Sequence, residues 1–207
     1  GAGEEETFLD AEANVDFPKR VINLDNVQGV FISNLTLMGG FVTLSKNYNG
    51  GGVGIMNSDL KIMNVLITSN SSAGNGAGVY AYNSSVEIDS VSAEYNAALG
   101  SGGGIHSINS ELRLSNSSVL NNSVNKNGAG IFADNGRIAI LNCEIQGNQA
   151  GGSQSKGGGI SISGADSTLI ANNLIRGNNA DNGAGIYLQS NSNLRIDRNR
   201  IINNLAD

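Results

Sequence analysis

The stretch GAGVYAYNSSVEIDSVSAEYNAALGSGGGI, residues 76–105, contains one complete period of a repeat. It opens on Gly76-Ala77-Gly78-Val79 and comes back to Gly102-Gly103-Gly104-Ile105 after 26 residues. The same tetrad starts at Gly50, Gly128, Gly157 and Gly183, and from Gly50 onward the gaps are 26, 26, 26, 29 and 26. A fixed period of this size marks a solenoid, in which each unit buries its apolar side chains against its neighbours.

Working outward from the tetrad, each unit repeats the same order. A glycine-led strand carries Val53, Val79, Ile105, Ile131, Ile160 and Ile186. A second strand carries the pairs Leu60/Ile62, Val86/Ile88, Leu112/Leu114, Ile138/Ile140, Thr168/Ile170 and Leu194/Ile196. The spacing of two is that of a half-buried strand. A third strand follows with Val65/Ile67, Val91/Ala93, Ser117/Val119, Cys143/Ile145, Asn173/Ile175 and Asn199/Ile201. After it, one turn position always holds asparagine: Asn70, Asn96, Asn122, Asn148, Asn178 and Asn204. Identical amides stacked at the strand spacing of about 4.8 Å can bond to one another, so this column is expected to form a structural Asn ladder.

The expected fold is therefore all-β: a right-handed parallel β-helix with three parallel sheets and about seven or eight coils of roughly 26 residues. Val21-Ile22-Asn23-Leu24, Val30/Ile32 and Leu35/Leu37 extend the scheme ahead of Gly39-Gly40. Residues 1–20 read as a leader, a partial first coil or a cloning remnant, and 21–207 as the β-helix, a fragment of a longer surface protein. Residues 38–49 and 146–156 are the expected sites of insertion.

Composition narrows the function. Of the 207 residues 29 are Gly, one is Pro and 14% are charged, with a net charge of -6. Twelve Lys plus Arg make a poor basis for binding a phosphate backbone, so nucleic acid is not an expected partner. One Cys and one His exclude a disulfide framework and a His/Cys zinc site, so neither a metal nor another cofactor is expected. Cys143 falls in an inward column and is expected to fill core. No apolar run approaches the roughly 20 residues that a membrane helix needs. Asn34, Asn70, Asn83, Asn116 and Asn121 head Asn-x-Ser/Thr sequons, which chance alone would produce in a chain this rich in Asn and Ser.

The tetrads, with Ile67-x-x-Asn70, Ile145-x-x-Asn148, Ile175-x-x-Asn178 and Ile201-x-x-Asn204, resemble the paired GGA-Ile/Leu/Val and Phe-x-x-Asn motifs of polymorphic outer membrane proteins. The resemblance spans about residues 21–207. It implies a right-handed β-helix displayed outside the cell, often as an autotransporter passenger and often adhesive. Two departures stand out: the family's Phe is Ile, Ala or Val here, and its third motif residue, Ala, is Gly.

Two outward columns are candidates for function. On the second strand, Lys61, Glu87, Arg113, Ala139, Leu169 and Arg195, with Asp89 and Asp197 beside them, read as an ion-pair ladder. The glycine-led strand presents Gly54, Tyr80, His106, Phe132, Ser161 and Tyr187, flanked by Met56, Tyr82, Ile108, Asp134, Ser163 and Gln189. Tyr80, Tyr82, His106, Ile108, Phe132 and Tyr187 form the candidate binding face, an apolar stripe suited to sugar rings or a partner's groove. No catalytic set is assigned. The leading expectation is a secreted or cell-surface scaffold with an adhesive face, its partner a glycan or a host or partner cell-surface protein. The alternative is a polysaccharide-modifying enzyme of the lyase or epimerase type, in which a Tyr-His pair would serve as acid and base.

Overall fold

The computed structural model describes residues 7–43 and 49–206, and all regular structure among them is β-strand. The chain winds through about seven coils, and strands in successive coils pair in parallel. Val53, Val79, Ile105, Ile131, Ile160 and Ile186 lie over one another as expected. So do Leu60, Val86, Leu112, Ile138, Thr168 and Leu194, and Ile67, Ala93, Val119, Ile145, Ile175 and Ile201.

The period-2 pattern becomes a packed interior. Ile62, Ile88, Leu114 and Ile140 point inward and are fully buried, one above the next. Each such side chain contributes about 1.5–3 kcal/mol on burial, so the stacked columns are the main source of stability. The inward residues of the last described coil, Leu194, Ile196 and Ile201, keep their register but remain 45–47% exposed.

A fourth sheet goes beyond the three expected. It consists of seven two-residue strands, among them Phe41–Val42, Ser71–Ser72, Ala97–Ala98 and Ser123–Val124. Behind it lies a second apolar cluster built from small residues, including Ala77, Ala98, Val124, Ala129 and Ala150. Two residues per coil are too few to show an alternating pattern.

The insertions are also more finely divided. Ile131 pairs with Ile160, 29 residues on, which puts three extra residues in the 151–156 segment. Arg137 pairs with Ser167, 30 residues on, so one more sits at 164–166, outside the ranges expected. Part of 38–49 is strand, since Phe41–Val42 pairs with Ser71–Ser72, and residues 44–48 lie outside the described residues.

Each coil turns at corners with left-handed backbone, and asparagine supplies many of them. Asn57, Asn83, Asn109 and Asn135 form one such column, with φ of 49, 49, 49 and 59°. Asparagine tolerates this region better than other non-glycine residues, which explains its abundance. Among the sequons, Asn34, Asn83, Asn116 and Asn121 are exposed corner residues, whereas Asn70 is fully buried.

The expected Asn ladder is continuous. Side-chain Nδ2 donates to the next Oδ1 from Asn70 to Asn96 (3.0 Å), Asn96 to Asn122 (3.1 Å), Asn122 to Asn148 (3.0 Å), Asn148 to Asn178 (2.9 Å) and Asn178 to Asn204 (2.9 Å). Asn122 shows the full pattern. Its Nδ2 also donates to Ala93 O at 2.9 Å, and its Oδ1 also accepts the main-chain N–H of Asn96 at 3.0 Å. Both donors and both acceptor positions of the buried amide are thereby used.

The ladder explains the glycine in the third place of the tetrad. A Cβ on Gly78 would lie 2.5 Å from Gly104 O and 3.1 Å from Asn96 Nδ2. Gly52, Gly130, Gly159 and Gly185 meet the corresponding asparagine at 3.0–3.1 Å. An alanine there would push the coils apart where the amides must touch.

Asn122→Ala should therefore cost about 3 kcal/mol or more, because it leaves several buried donors and acceptors without partners. Arg113→Ala removes an exposed side chain and should change stability by less than about 1 kcal/mol. Urea unfolding of the two variants against the parent measures both, and equal midpoints would contradict the ladder's role.

Candidate functional site

The glycine-led face keeps the expected register, so Gly54, Tyr80, His106, Phe132, Ser161 and Tyr187 form one outward column. The coil spacing suits ring stacking. Tyr80 and His106 have centroids 5.4 Å apart at 20°, and His106 and Phe132 are 4.7 Å apart at 17°.

Stacking changes what this column offers. His106 was expected on a solvent-facing stripe but is 3% exposed. Its Nδ1–H donates to Ser101 O at 3.0 Å, which leaves Nε2 as an acceptor without a partner. Burial pushes its pKa down to about 4, a loss that the Ser101 bond only partly offsets. The imidazole is a neutral layer between two rings, out of reach for acid–base work on a substrate.

The other candidates divide around it. Tyr80 and Phe132 are half-buried, Tyr82 is 37% exposed, and Ile108 is half-buried beside His106. Tyr187 is separated from Phe132 by the buried Ser161 and does not join the stack. The Lys156 ammonium sits 4.8 Å from the Tyr187 ring centroid, and the Tyr187 hydroxyl donates to Gln189 at 3.2 Å.

At the Gly54 end, the structure adds a residue that the columns did not suggest. Arg20 reaches across and takes the place where a Gly54 side chain would stand; a Cβ there would lie 2.9–3.0 Å from its Cδ, Nε and Cζ. Arg20 Nε donates to Gly50 O at 2.9 Å, Nη2 to Asn49 O at 2.7 Å, and Nη1 to Asn23 Oδ1. Burial lowers its pKa from the usual arginine range. Arg20, Asn23, Asn49, Met56, Tyr80 and Tyr82 enclose a pocket of about 200 Å³ over Gly54. The sequence signal was the empty first place in an otherwise filled column.

The charged column contracts. Lys61 and Glu87 form an exposed pair at 3.1 Å, but among the described residues Arg113 joins no salt bridge, so the ladder stops at one rung. Asp89 accepts from Ser115 Oγ at 2.7 Å and Asn116 Nδ2 at 2.8 Å, which hold its carboxyl below the usual range. Asp197 pairs instead with Arg195 and Arg198. Cys143 is buried, and burial raises its pKa to about 11, so its thiol stays protonated in the core. Among the described residues no group of three His, Cys, Asp or Glu could hold a metal ion, and no helix is long and apolar enough to cross a membrane.

Residues 104–207, just over half of the chain, match the family model described as the right handed beta helix region. No curated protein and no solved structure matches the chain.

The buried imidazole carries a pH signature. Its folded pKa is depressed, so its share of stability is complete above the free value of 6.5 and falls as pH drops toward about 4. Between pH ~7 and ~4 this loss should reach on the order of 3 kcal/mol. His106→Phe keeps the stack without the titration. The stability difference between parent and variant should move by that amount over the range, read from urea midpoints, and a constant difference would contradict a buried neutral imidazole.

Proposed function

The chain belongs to the right-handed β-helix family, and from that premise we propose that it is a rigid scaffold at the cell surface or outside the cell, contacting glycans along its aromatic edge. The observation that carries the reading is the Tyr80–His106–Phe132 stack, with the exposed Tyr82 and the 200 Å³ pocket at its end. Flat rings fixed on a sheet lose little side-chain entropy on binding, and their faces suit the C–H surface of a sugar. The likeness to polymorphic outer membrane protein repeats supports display outside the cell. The acidic net charge and the absence of a basic stripe in the sequence turn the partner away from nucleic acid.

Within this reading, recognition centres on the Tyr80/Tyr82 end, because His106 is covered, Tyr82 is exposed, and Tyr80 and Tyr82, unlike Phe132, line the pocket. A printed glycan array probed with the 207-residue protein tests it. Tyr82→Ser should leave the melting temperature nearly unchanged and weaken binding to the best array ligand by about 2 kcal/mol, the scale of an interface hot spot. Loss of Lys61 or Arg113 should matter far less. Binding by the Tyr82 variant at full strength, or no glycan retained by the parent, would overturn the reading.

A further inference from the structure

The fourth sheet presents a face of its own. Its seven strands, from Phe41–Val42 to Leu205–Ala206, contain no charged residue, whereas the second-strand column carries Lys61, Glu87 and Arg113. Along its middle runs a strip of small side chains, Ser71, Ala97 and Ser123, which with Phe41 and Leu99 line a groove of about 310 Å³. Two residues to either side of Ala97 stand large side chains, Tyr95 and Leu99, which are 59% and 57% exposed. Tyr95 has a left-handed backbone, with φ of 53°, at a corner that Ser69, Asn121, Gly147 and Gly177 fill in other coils. Such strain in a bulky residue clusters at functional positions. An uncharged centre with large apolar side chains beside it has the composition of an interface core.

We propose that this face pairs with the same face of a second copy of the chain, the two solenoids lying side by side with their coils in the same order. Charge points to that partner. Each copy carries -6, so two copies approach most readily through a face free of carboxylates. The strips bordering the face are charged, and they complement one another. On one border the third strands end in Thr68, Glu94, Leu120, Gln146 and Arg176 in successive coils. On the other, residues 73–74, 99–100, 125–126, 151–152 and 181–182 follow the fourth-sheet strands, and the charges among them are Lys126 and Asp181. A two-fold axis parallel to the solenoid lays each border against the opposite border of the second copy, coil for coil. Arg176 then comes opposite Asp181, Glu94 lies one coil, about 4.8 Å, from the level of Lys126, and Leu99 comes opposite Tyr95, each contact occurring twice. Within the chain Arg176 already pairs with Glu144, and Asp181 accepts the Gln154 N–H, but Glu94 and Lys126 join no salt bridge among the described residues. Reversing the coil order would also oppose unlike charges, Glu94 to Arg176, but it would set Leu99 against Asp181. The apolar pair therefore selects the common direction.

Sedimentation velocity of the 207-residue protein over roughly 1–300 µM tests this, and the parent should show a reversible dimer within that range. Leu99→Glu, at an exposed position, should keep the parent's melting temperature and weaken the dimer about tenfold or more. Glu94→Lys and Lys126→Glu should each weaken it. The first takes the net charge from -6 to -4 and so lowers the general repulsion, which means that its weaker dimer reports the local pair. The double swap should bring the affinity back toward the parent's, because each new lysine again meets a glutamate of the second copy. Glu87→Lys makes the same change of net charge on the second-strand column and should not weaken association. A parent that stays monomeric throughout overturns the proposal, whatever peptide or glycan the groove is then found to take. A dimer that Leu99→Glu leaves intact is joined elsewhere, and one that the double swap fails to restore does not have this direction; either result overturns it too. The Tyr80/Tyr82 end lies on a different sheet, so the pairing stands or falls apart from the glycan reading.

Discussion

The contact on which the rest depends is the approach of one coil to the next at the asparagine–glycine corner. There the amide of one coil bonds to the amide above it, and a glycine of the tetrad leaves the room for it to do so. A buried amide with a missing partner is costly, so this corner sets the coil spacing and the register together. Once register is set, every other column follows. The isoleucines stack in the core, the small residues pack behind the fourth sheet, and the rings of Tyr80, His106 and Phe132 come to stacking distance.

The candidate site is a by-product of the same spacing. Rings one coil apart cover one another, which removes His106 from solvent and leaves Tyr82 and the pocket at the end of the stack as its open part. That end exists because Gly54 has no side chain and Arg20, from the segment before the first glycine-led strand, fills the space. The site therefore joins a repeating part, the aromatic column, to a part that occurs once.

This division matches what could be read from the sequence. Long patterns that recur every 26 residues are legible: the columns, the inward positions of Ile62 or Ile140, and the Asn ladder, each fixed by six copies. Features that occur once or are too short escaped. The two-residue strands of the fourth sheet carry no alternation, and the single extra residue at 164–166 hides among Ser, Gly and Ala. Arg20 lies more than thirty residues from Gly54, with no periodic signal linking them. The burial of His106 is hidden from the sequence for a different reason. A column says which residues are neighbours, but whether large neighbours shield or present the one between them depends on ring size against spacing. Likewise Glu87 and Arg113 are adjacent in register, yet among the described residues the pair that forms between rungs of this column is Lys61–Glu87.

The ladder has one more consequence, in its sense of direction. All five amide-to-amide bonds from Asn70 to Asn204 run from an Nδ2 to the Oδ1 of the following coil, so their dipoles point the same way along the axis. Aligned hydrogen bonds polarise one another, by about 10–30% per bond. The asparagine column is thus a one-way electrical thread through a molecule whose backbone hydrogen bonds run nearly parallel to it. Its inner members are held by a field to which every other member adds, and loosening any one amide weakens the grip on coils that it does not touch.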